Sequence, residues 1–257
     1  MNVETIPVMA EGAQVEGTHS ETETADAVRE MFNSIAPKYD LLNHVLSGNM
    51  DRVWWRRTAR TFSKTLQNPD SRVLDLCCGT GDMTLALLKF RPSIAEPVIA
   101  VDFSPAMLER GIQKFEAAGY DDLVEPVQAD AMHLPLADGS LDLVVSAFGF
   151  RNLSNYDGAL RELYRVLKPG GRLGILEANR PQGLLGSLYG VYFDHVLPRI
   201  GRMVSGDSGA YSYLPASVAR FPQPPEMKAK MAQAGFADAR WTAYTFGVAG
   251  LYTGMKR

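Results

Sequence analysis

Two hydrophobic patterns divide this chain. Before residue 71 the apolar positions recur at helical spacing. Val28, Met31, Phe32 and Ile35 mark one helix face, and Pro37 must break that helix. A second amphipathic stretch follows, and then DRVWWRRTARTF, which reads as a third helix. Trp54 and Trp55 are adjacent in it and cannot share a face, so one is expected inside and the other at an edge or over a pocket. From Arg72 onward the apolar residues come in short runs separated by helical segments. RVLDL, PVIAVDF, VEPVQAD, LDLVVSAF and GRLGILEA read as five strands, the third weakened by Pro126. MTLALLKF, SPAMLERGIQKFEAAG and NYDGALRELYRVL read as the helices between them, with Ser104 as an N-cap and Lys168-Pro169-Gly170-Gly171 as a tight turn. This alternation implies a parallel sheet with helices on both faces.

The flanks read differently. Residues 1–24 are rich in Glu, Thr, Gly and Ala and are expected to be a disordered tail. Residues 25–257 are expected to form a single domain: a helical cap over 25–70, a cofactor-binding core over 71–178, and helices and final strands on the substrate side over 179–257. In that last part PEMKAKMAQAG predicts a helix, and two strand-like runs flank Gly247.

Composition narrows the function classes. Of 257 residues, 46% are hydrophobic and 21% charged, enough for a large buried core. A net charge of -3 offers no general attraction for nucleic acid phosphates, so no nucleic acid partner is expected. The only two cysteines are neighbours, which fits a reducing compartment. There is neither a long uninterrupted apolar run nor a basic-then-apolar leader pattern, which points to the cytoplasm while leaving docking on a membrane surface open.

The chemistry concentrates in VLDLCCGTGD, residues 73–82. Gly79 and Gly81 after a strand suggest a cofactor loop, and Asp102 ends the next strand, where a ribose-binding acid belongs. A dinucleotide is disfavoured. Thr84 replaces the third glycine, and Asp75 and Asp82 would repel a pyrophosphate. S-adenosylmethionine carries no phosphate and has an ammonium and a sulfonium, both suited to acidic surroundings. On this reading Gly79, Thr80 and Gly81 let the backbone approach the methionine part, and Asp75 supplies charge. Asp102 with Phe103 takes the ribose, and Asp130 with Ala131 the adenine. Cys77 and Cys78 are expected to pack as small residues, because adjacent cysteines chelate poorly, and no metal is expected. The segment after the fourth strand, SAFGFRN, lacks the Asn-Pro-Pro-aromatic motif of nitrogen-directed methylases.

Several longer stretches make the chain resemble the quinone-biosynthesis C-methyltransferase family, whose members act in menaquinone and ubiquinone synthesis. These are FNSIAPKYDLLNHVLS, the WWRR segment, VDFSPAML, SAFGFRN, ALRELYRVLKPGGRL, HVLPRIG and YSYLPASVARFP, spread from about residue 28 to the end. The resemblance implies a seven-stranded Rossmann-like class I methyltransferase fold, α/β, mostly parallel, with an antiparallel last strand. It implies that Thr80, Asp102, Asp130 and Ala131 touch the cofactor and that Ala147 stands at a position where many members have Ser or Ala. It also implies that Arg151 and Asn152 act in catalysis and that Tyr39 lies near the substrate ring.

The implied substrate is a polyprenylated quinol, with demethylmenaquinol favoured over a methoxybenzoquinol. Arg151 would stabilise a developing phenolate and orient a water, since a guanidinium stays protonated. The alternative for Arg151 is a plain ion pair with a helix acid such as Asp157. Residues 184–204 could line an apolar channel for the tail or face a membrane, with ordinary core packing as the competing reading.

Overall fold

The computed structural model describes residues 10–93, 95–181 and 209–257. Helix α1 (Glu21–Ile35) is followed by a 3-10 turn over Ala36–Lys38, where Pro37 ends the α-helical run as its geometry requires. Helices α2 (Tyr39–Ser47), α3 (Met50–Thr61) and α4 (Ser63–Leu66) complete the N-terminal part. The core then alternates β1 (Val73–Leu76), α5 (Asp82–Leu88), β2 (Val98–Asp102), α6 (Pro105–Ala118), β3 (Val124–Gln128), β4 (Leu141–Ala147), α7 (Tyr156–Val166) and β5 (Leu167–Ala178). Helices α8 (Gly209–Arg220) and α9 (Pro224–Gln233) lead into a hairpin of β6 (Ala237–Tyr244) and β7 (Ala249–Met255).

The seven strands form one sheet in the order β3-β2-β1-β4-β5-β7-β6. β1 pairs in parallel with both β2 and β4, and β7 pairs antiparallel with β5 and β6. The chain leaves β1 toward one side of the sheet and returns for β4 on the other. That opens a crevice at the strand ends between them, where ligands bind in folds of this kind. β3 holds Pro126 without penalty because it is an edge strand, bonded only to β2.

Both sheet faces are covered. On one, Trp54, Trp55, Phe62, Leu87 and Phe115 pack over the strands. On the other, Tyr156, Leu160, Leu163, Met227, Met231 and Tyr252 do so. At roughly 1.5–3 kcal/mol per large side chain, these layers supply the main drive for folding.

Three expectations change. The segment before residue 25 is not a tail throughout. Ser20 caps α1: its Oγ accepts from the Glu23 amide at 3.1 Å, and Glu23 Oε2 reaches back to accept from the His19 amide at 2.7 Å. Upstream of it, the Ala13 amide donates to the Leu153 carbonyl at 2.7 Å and the Tyr156 amide to the Glu11 carbonyl at 2.9 Å. Gly12 runs so close to Ser154 that a Cβ there would meet its carbonyl oxygen at 2.1 Å. Small residues gave this strap little side-chain area to bury, but they let its backbone dock, and backbone bonding replaces the missing apolar contacts. Residues 1–9 lie outside the described residues.

Both tryptophans are buried and both stand over a cavity, so the expected division between an inside ring and a pocket-side ring does not separate them. Trp54 bonds Thr245 Oγ1 through Nε1 at 2.8 Å, and Trp55 packs edge-on against His44. The hairpin turn and α2 cover two adjacent faces of α3. Finally, Lys168 to Gly171 form a bulge inside β5 instead of a free turn. Leu141 pairs with Leu167, but Leu143 pairs with Arg172. The stretch 184–204 and His195 lie outside the described residues, and no described helix is long and apolar enough to cross a membrane.

Candidate functional site

At the end of β1 the backbone leaves the strand through three left-handed residues, Cys77 (φ 55°), Gly79 (φ 56°) and Gly81 (φ 84°). The Gly79 amide donates to Asp102 Oδ2 at 2.7 Å, and the Ser104 amide donates to Asp102 Oδ1 at 2.9 Å. One carboxylate thus holds together the turns after β1 and β2. Burial pushes the Asp102 carboxyl upward, and the backbone bonds oppose that shift.

A cavity with about 790 Å³ of free space, part of it open to solvent, lies between these turns and α1. Gly79, Asp102, Phe103, Asp130, Ala131 and Ala147 all line it, so the fold brings these predicted residues together. Leu76, Val101, Met107 and Met132 add apolar wall, and Asp130 Oδ1 is fixed by the Met132 amide at 2.9 Å. Four residues of α1, Ala25, Val28, Arg29 and Phe32, close the cavity from above. Arg29 lies 4.9 Å over the Phe103 ring. The α1 periodicity was readable, but that its apolar face meets a cofactor-sized space was not.

Asp75 and Gly81 are not on the cavity wall. Asp75 is fully buried behind the loop and accepts from Thr84 Oγ1 at 2.6 Å; burial raises its carboxyl to about 7. Thr84 therefore replaces glycine for a reason internal to the fold. Gly81 is required by its φ and by Phe115, whose ring a Cβ would meet at 2.3 Å. Asp82 is also no free charge, because Lys114 on α6 binds it at 3.1 Å and binds Asp40 at 2.8 Å. Thr80 joins this knot, donating to Asp40 Oδ1 and accepting from Lys114 Nζ. The acidity that faces the cavity comes from Asp102 and Asp130 instead of from the pair flanking the loop.

A second cavity, with about 1570 Å³ of free space partly open to solvent, lies on the other side of the β1 and β4 ends. Its wall is apolar and aromatic (Met50, Trp54, Trp55, Met83, Phe148, Leu214, Val248) with Tyr39, Asn43, Asp51, Thr80 and Arg151 among the polar groups. The two cavities share Tyr39, Cys77, Gly79, Ala147 and Phe148, so they meet at this wall. Phe148 is held at φ 59°, a conformation bulky residues avoid, by its amide bond to Leu176 O at 2.8 Å.

Arg151 is 7% exposed and reaches this second cavity. Its partner is Glu177, at the end of β5: Nη1 donates to Oε2 at 2.9 Å, and the Arg151 amide donates to Oε1 at 3.0 Å. Nη1 also donates to the Phe148 carbonyl. Asp157, the anticipated partner, binds Lys230 instead. Burial works against the guanidinium charge, but Glu177 and the other facing groups outweigh it, and the net shift is upward. Glu177 is fully buried and was missed. Its one signal was an acid at the end of an otherwise apolar strand, GRLGILEA.

Asn152 lines the first cavity, and Tyr213 donates its hydroxyl proton to Asn152 Oδ1 at 3.2 Å. Tyr39 stands at the shared wall with its phenol pushed upward by burial. Burial pushes the Cys77 and Cys78 thiols well up, which keeps them protonated. Ser146 is buried in β4 and lines neither cavity.

Comparison with known proteins agrees with this geometry. Residues 18–256 match the model of the ubiE/COQ5 methyltransferase family. The demethylmenaquinone methyltransferase of Deinococcus radiodurans is 47% identical over 232 residues, 90% of this chain and 93% of that one. The enzyme of the same name from Thermus thermophilus is 49% identical over 227 residues, 88% of this chain and all of that one. Among solved structures, a SAM-dependent methyltransferase from Thermotoga maritima, a possible histamine N-methyltransferase, superposes with a TM-score of 0.62 at 20% identity. It covers 90% of this chain and 100% of that one, a likeness of fold.

Proposed function

The chain belongs to the ubiE/COQ5 methyltransferase family, and from that premise we propose that it methylates a ring carbon of a polyprenylated quinol, demethylmenaquinol first, with S-adenosylmethionine as donor. The observation that carries the reading is the wall common to both cavities. A donor-sized space and an aromatic substrate-sized space meet at Tyr39, Gly79, Ala147 and Phe148. A transfer between two bound molecules needs such a junction, because its rate depends on alignment at near-attack distance.

The residues present fit the donor. Asp102 would hold its ribose, Asp130 and Ala131 its adenine edge, and Gly79 would leave room for the methionine part. Bound there, it supplies an activated methyl group on a sulfonium.

The chain's own work is on the quinol. Arg151 stays protonated, anchored by Glu177, and presents fixed positive charge to the second cavity, where a ring oxygen gains negative charge as its carbon becomes nucleophilic. Tyr39, a neutral phenol at the shared wall, bonds that oxygen or closes over the ring. Asn152 acts from the donor side, positioned by Tyr213. The aromatic wall excludes water from the carbon that reacts. A polyprenyl tail leaves along the side where Thr245 and Val248 line the cavity, toward a face suited to peripheral contact with a membrane on its cytoplasmic side.

The test is a product assay with demethylmenaquinol and a demethylated methoxybenzoquinol side by side. Methylation of the first at the higher kcat/KM is expected. Arg151→Lys, which keeps a charge opposite Glu177, should lower kcat about 100-fold while leaving adenosylmethionine affinity unchanged by calorimetry. Wild-type turnover in that variant, or no methylation of either quinol by the intact protein, would remove the reading.

A further inference from the structure

Methylating an aromatic C–H position releases one proton, and the second cavity must dispose of it. Arg151 cannot take it, being protonated and paired with Glu177. Tyr39 and the two thiols already hold their protons at neutral pH. Among the described residues on the cavity wall the carboxylates are Asp82 and Asp51. Asp82 is held by Lys114 at 3.1 Å, a lysine it shares with Asp40, while burial still pushes its carboxyl upward. Asp51 is different. It is 3% exposed, has among the described residues no cation beside it other than one that His44 could become, and its Oδ2 lies 2.7 Å from His44 Nδ1. Its Oδ1 accepts from the Arg52 amide at 2.7 Å.

His44 has a second side. With 23% of its side chain exposed, it lines a separate groove between α3 and α5, together with Arg52, Trp55, Arg56, Asp82 and Lys89. Trp55 packs edge-on against it, ring centroids 6.1 Å apart, and separates groove from cavity. The Asp51–His44 pair therefore crosses the wall between the substrate space and solvent.

We propose that Asp51 is the proton acceptor of the reaction and that His44, donating from Nδ1 to its Oδ2, is the positioning residue that orients the carboxylate. This rests on the C-methyltransferase reading above. Asp51 takes the phenolic proton while the oxygen's charge moves to the ring carbon. That carbon forms the C–CH3 bond as the S–CH3 bond breaks and sulfur keeps the electron pair. The methylated dienone then shifts its ring C–H proton to the carbonyl oxygen and restores the quinol. One proton leaves: Asp51 holds it until it passes to water on the solvent-open side of the cavity, while His44 keeps its Nδ1 proton on Oδ2. The charged groups that face the pair are Asp82, Arg52, Arg56 and Lys89 on the groove side and Arg151 across the cavity.

The experiment compares wild type, Asp51→Asn and His44→Ala in turnover of demethylmenaquinol from pH 5 to 9. Thermal midpoint and calorimetric adenosylmethionine affinity are measured on the same samples, and 15N NMR on the His44 ring. Expected are a kcat at least tenfold lower in both variants with KM and donor affinity unchanged. The low-pH decline of kcat should flatten in Asp51→Asn, and added imidazole should restore His44→Ala in proportion to its free-base fraction. The His44 nitrogens should report an Nδ1–H tautomer that changes in Asp51→Asn. A purely structural pair would lower the thermal midpoint without imidazole rescue, and that result overturns the proposal. So does an Asp51→Asn enzyme with wild-type kcat. If wild type itself methylates neither quinol, the functional reading fails and this step with it; an active wild type with an active Asp51→Asn overturns this step alone.

Discussion

Asp75 shows how far a residue's surroundings can change its meaning. It is one of the acids that make the loop look unsuited to phosphate, yet it faces no cavity and accepts a bond from Thr84. Its Oδ1 has no partner among the described residues. Burial lifts its carboxyl from 3.8 to about 7. The folded protein therefore binds this proton more tightly than the unfolded chain does. The stability so gained is complete below pH 4 and is lost as pH rises through about 7, where an ionised carboxylate must stay buried. The loss approaches about 4 kcal/mol at the full shift. Asp75→Asn keeps an acceptor for Thr84 and cannot ionise. Its thermal midpoint should exceed that of wild type at pH 8 and converge with it at pH 5; parallel midpoints across that range would show that Asp75 is ionised in both states.

The inference from acids to a cationic donor now rests on different acids. Asp102 and Asp130 line the first cavity, whereas Asp75 is internal and Asp82 is held by Lys114. A sequence shows which charges exist near a loop, but not which of them are already paired.

At the scale of elements, α1 is both a lid on the first cavity and the continuation of a docked strap. Its cap, Ser20 supported by Glu23, was present in the letters HSETE, but a composition reading passed over it. Ser20→Ala removes the bond to the first turn, at a cost of about 1 kcal/mol to α1. Because Ala25, Val28, Arg29 and Phe32 form one wall of the cavity, this cost should appear as weaker adenosylmethionine binding, at most about fivefold, with kcat at saturation unchanged. An unaltered dissociation constant by calorimetry would mean that α1 does not close on the donor.

At the scale of the molecule, net charge conceals a local asymmetry. The chain totals -3, but α3 presents Arg52, Val53, Arg56, Arg57 and Arg60 to solvent, none of the arginines in an ion pair with a described residue. Trp54 and Arg57 tie this helix to the β6–β7 turn, through Thr245 at 2.8 Å and the Tyr244 ring at 4.2 Å. At that turn Phe246 is 83% exposed and held at φ 56°. A basic, aromatic-tipped face beside the second cavity suits an anionic bilayer, with about 1 kcal/mol gained per arginine near the surface. Wild type should sediment with phosphatidylglycerol vesicles at low salt and not with phosphatidylcholine. Phe246→Ser with Arg60→Ala should weaken this about tenfold while leaving turnover of a short-chain quinol intact. Equal binding to both lipids would place the tail-side contact elsewhere.

The sequence alone determined the alternation of strand and helix, the glycine loop, the acid Asp102 at the end of the second strand and the family, because each rests on local periodicity or on a contiguous motif. Tertiary structure alone decided which carboxylates are free, that Glu177 holds Arg151, that both tryptophans are buried, and that Asp51 and His44 span a cavity wall. These depend on residues from different elements meeting in space. Pairing and burial, not residue type, then set whether a charge can act.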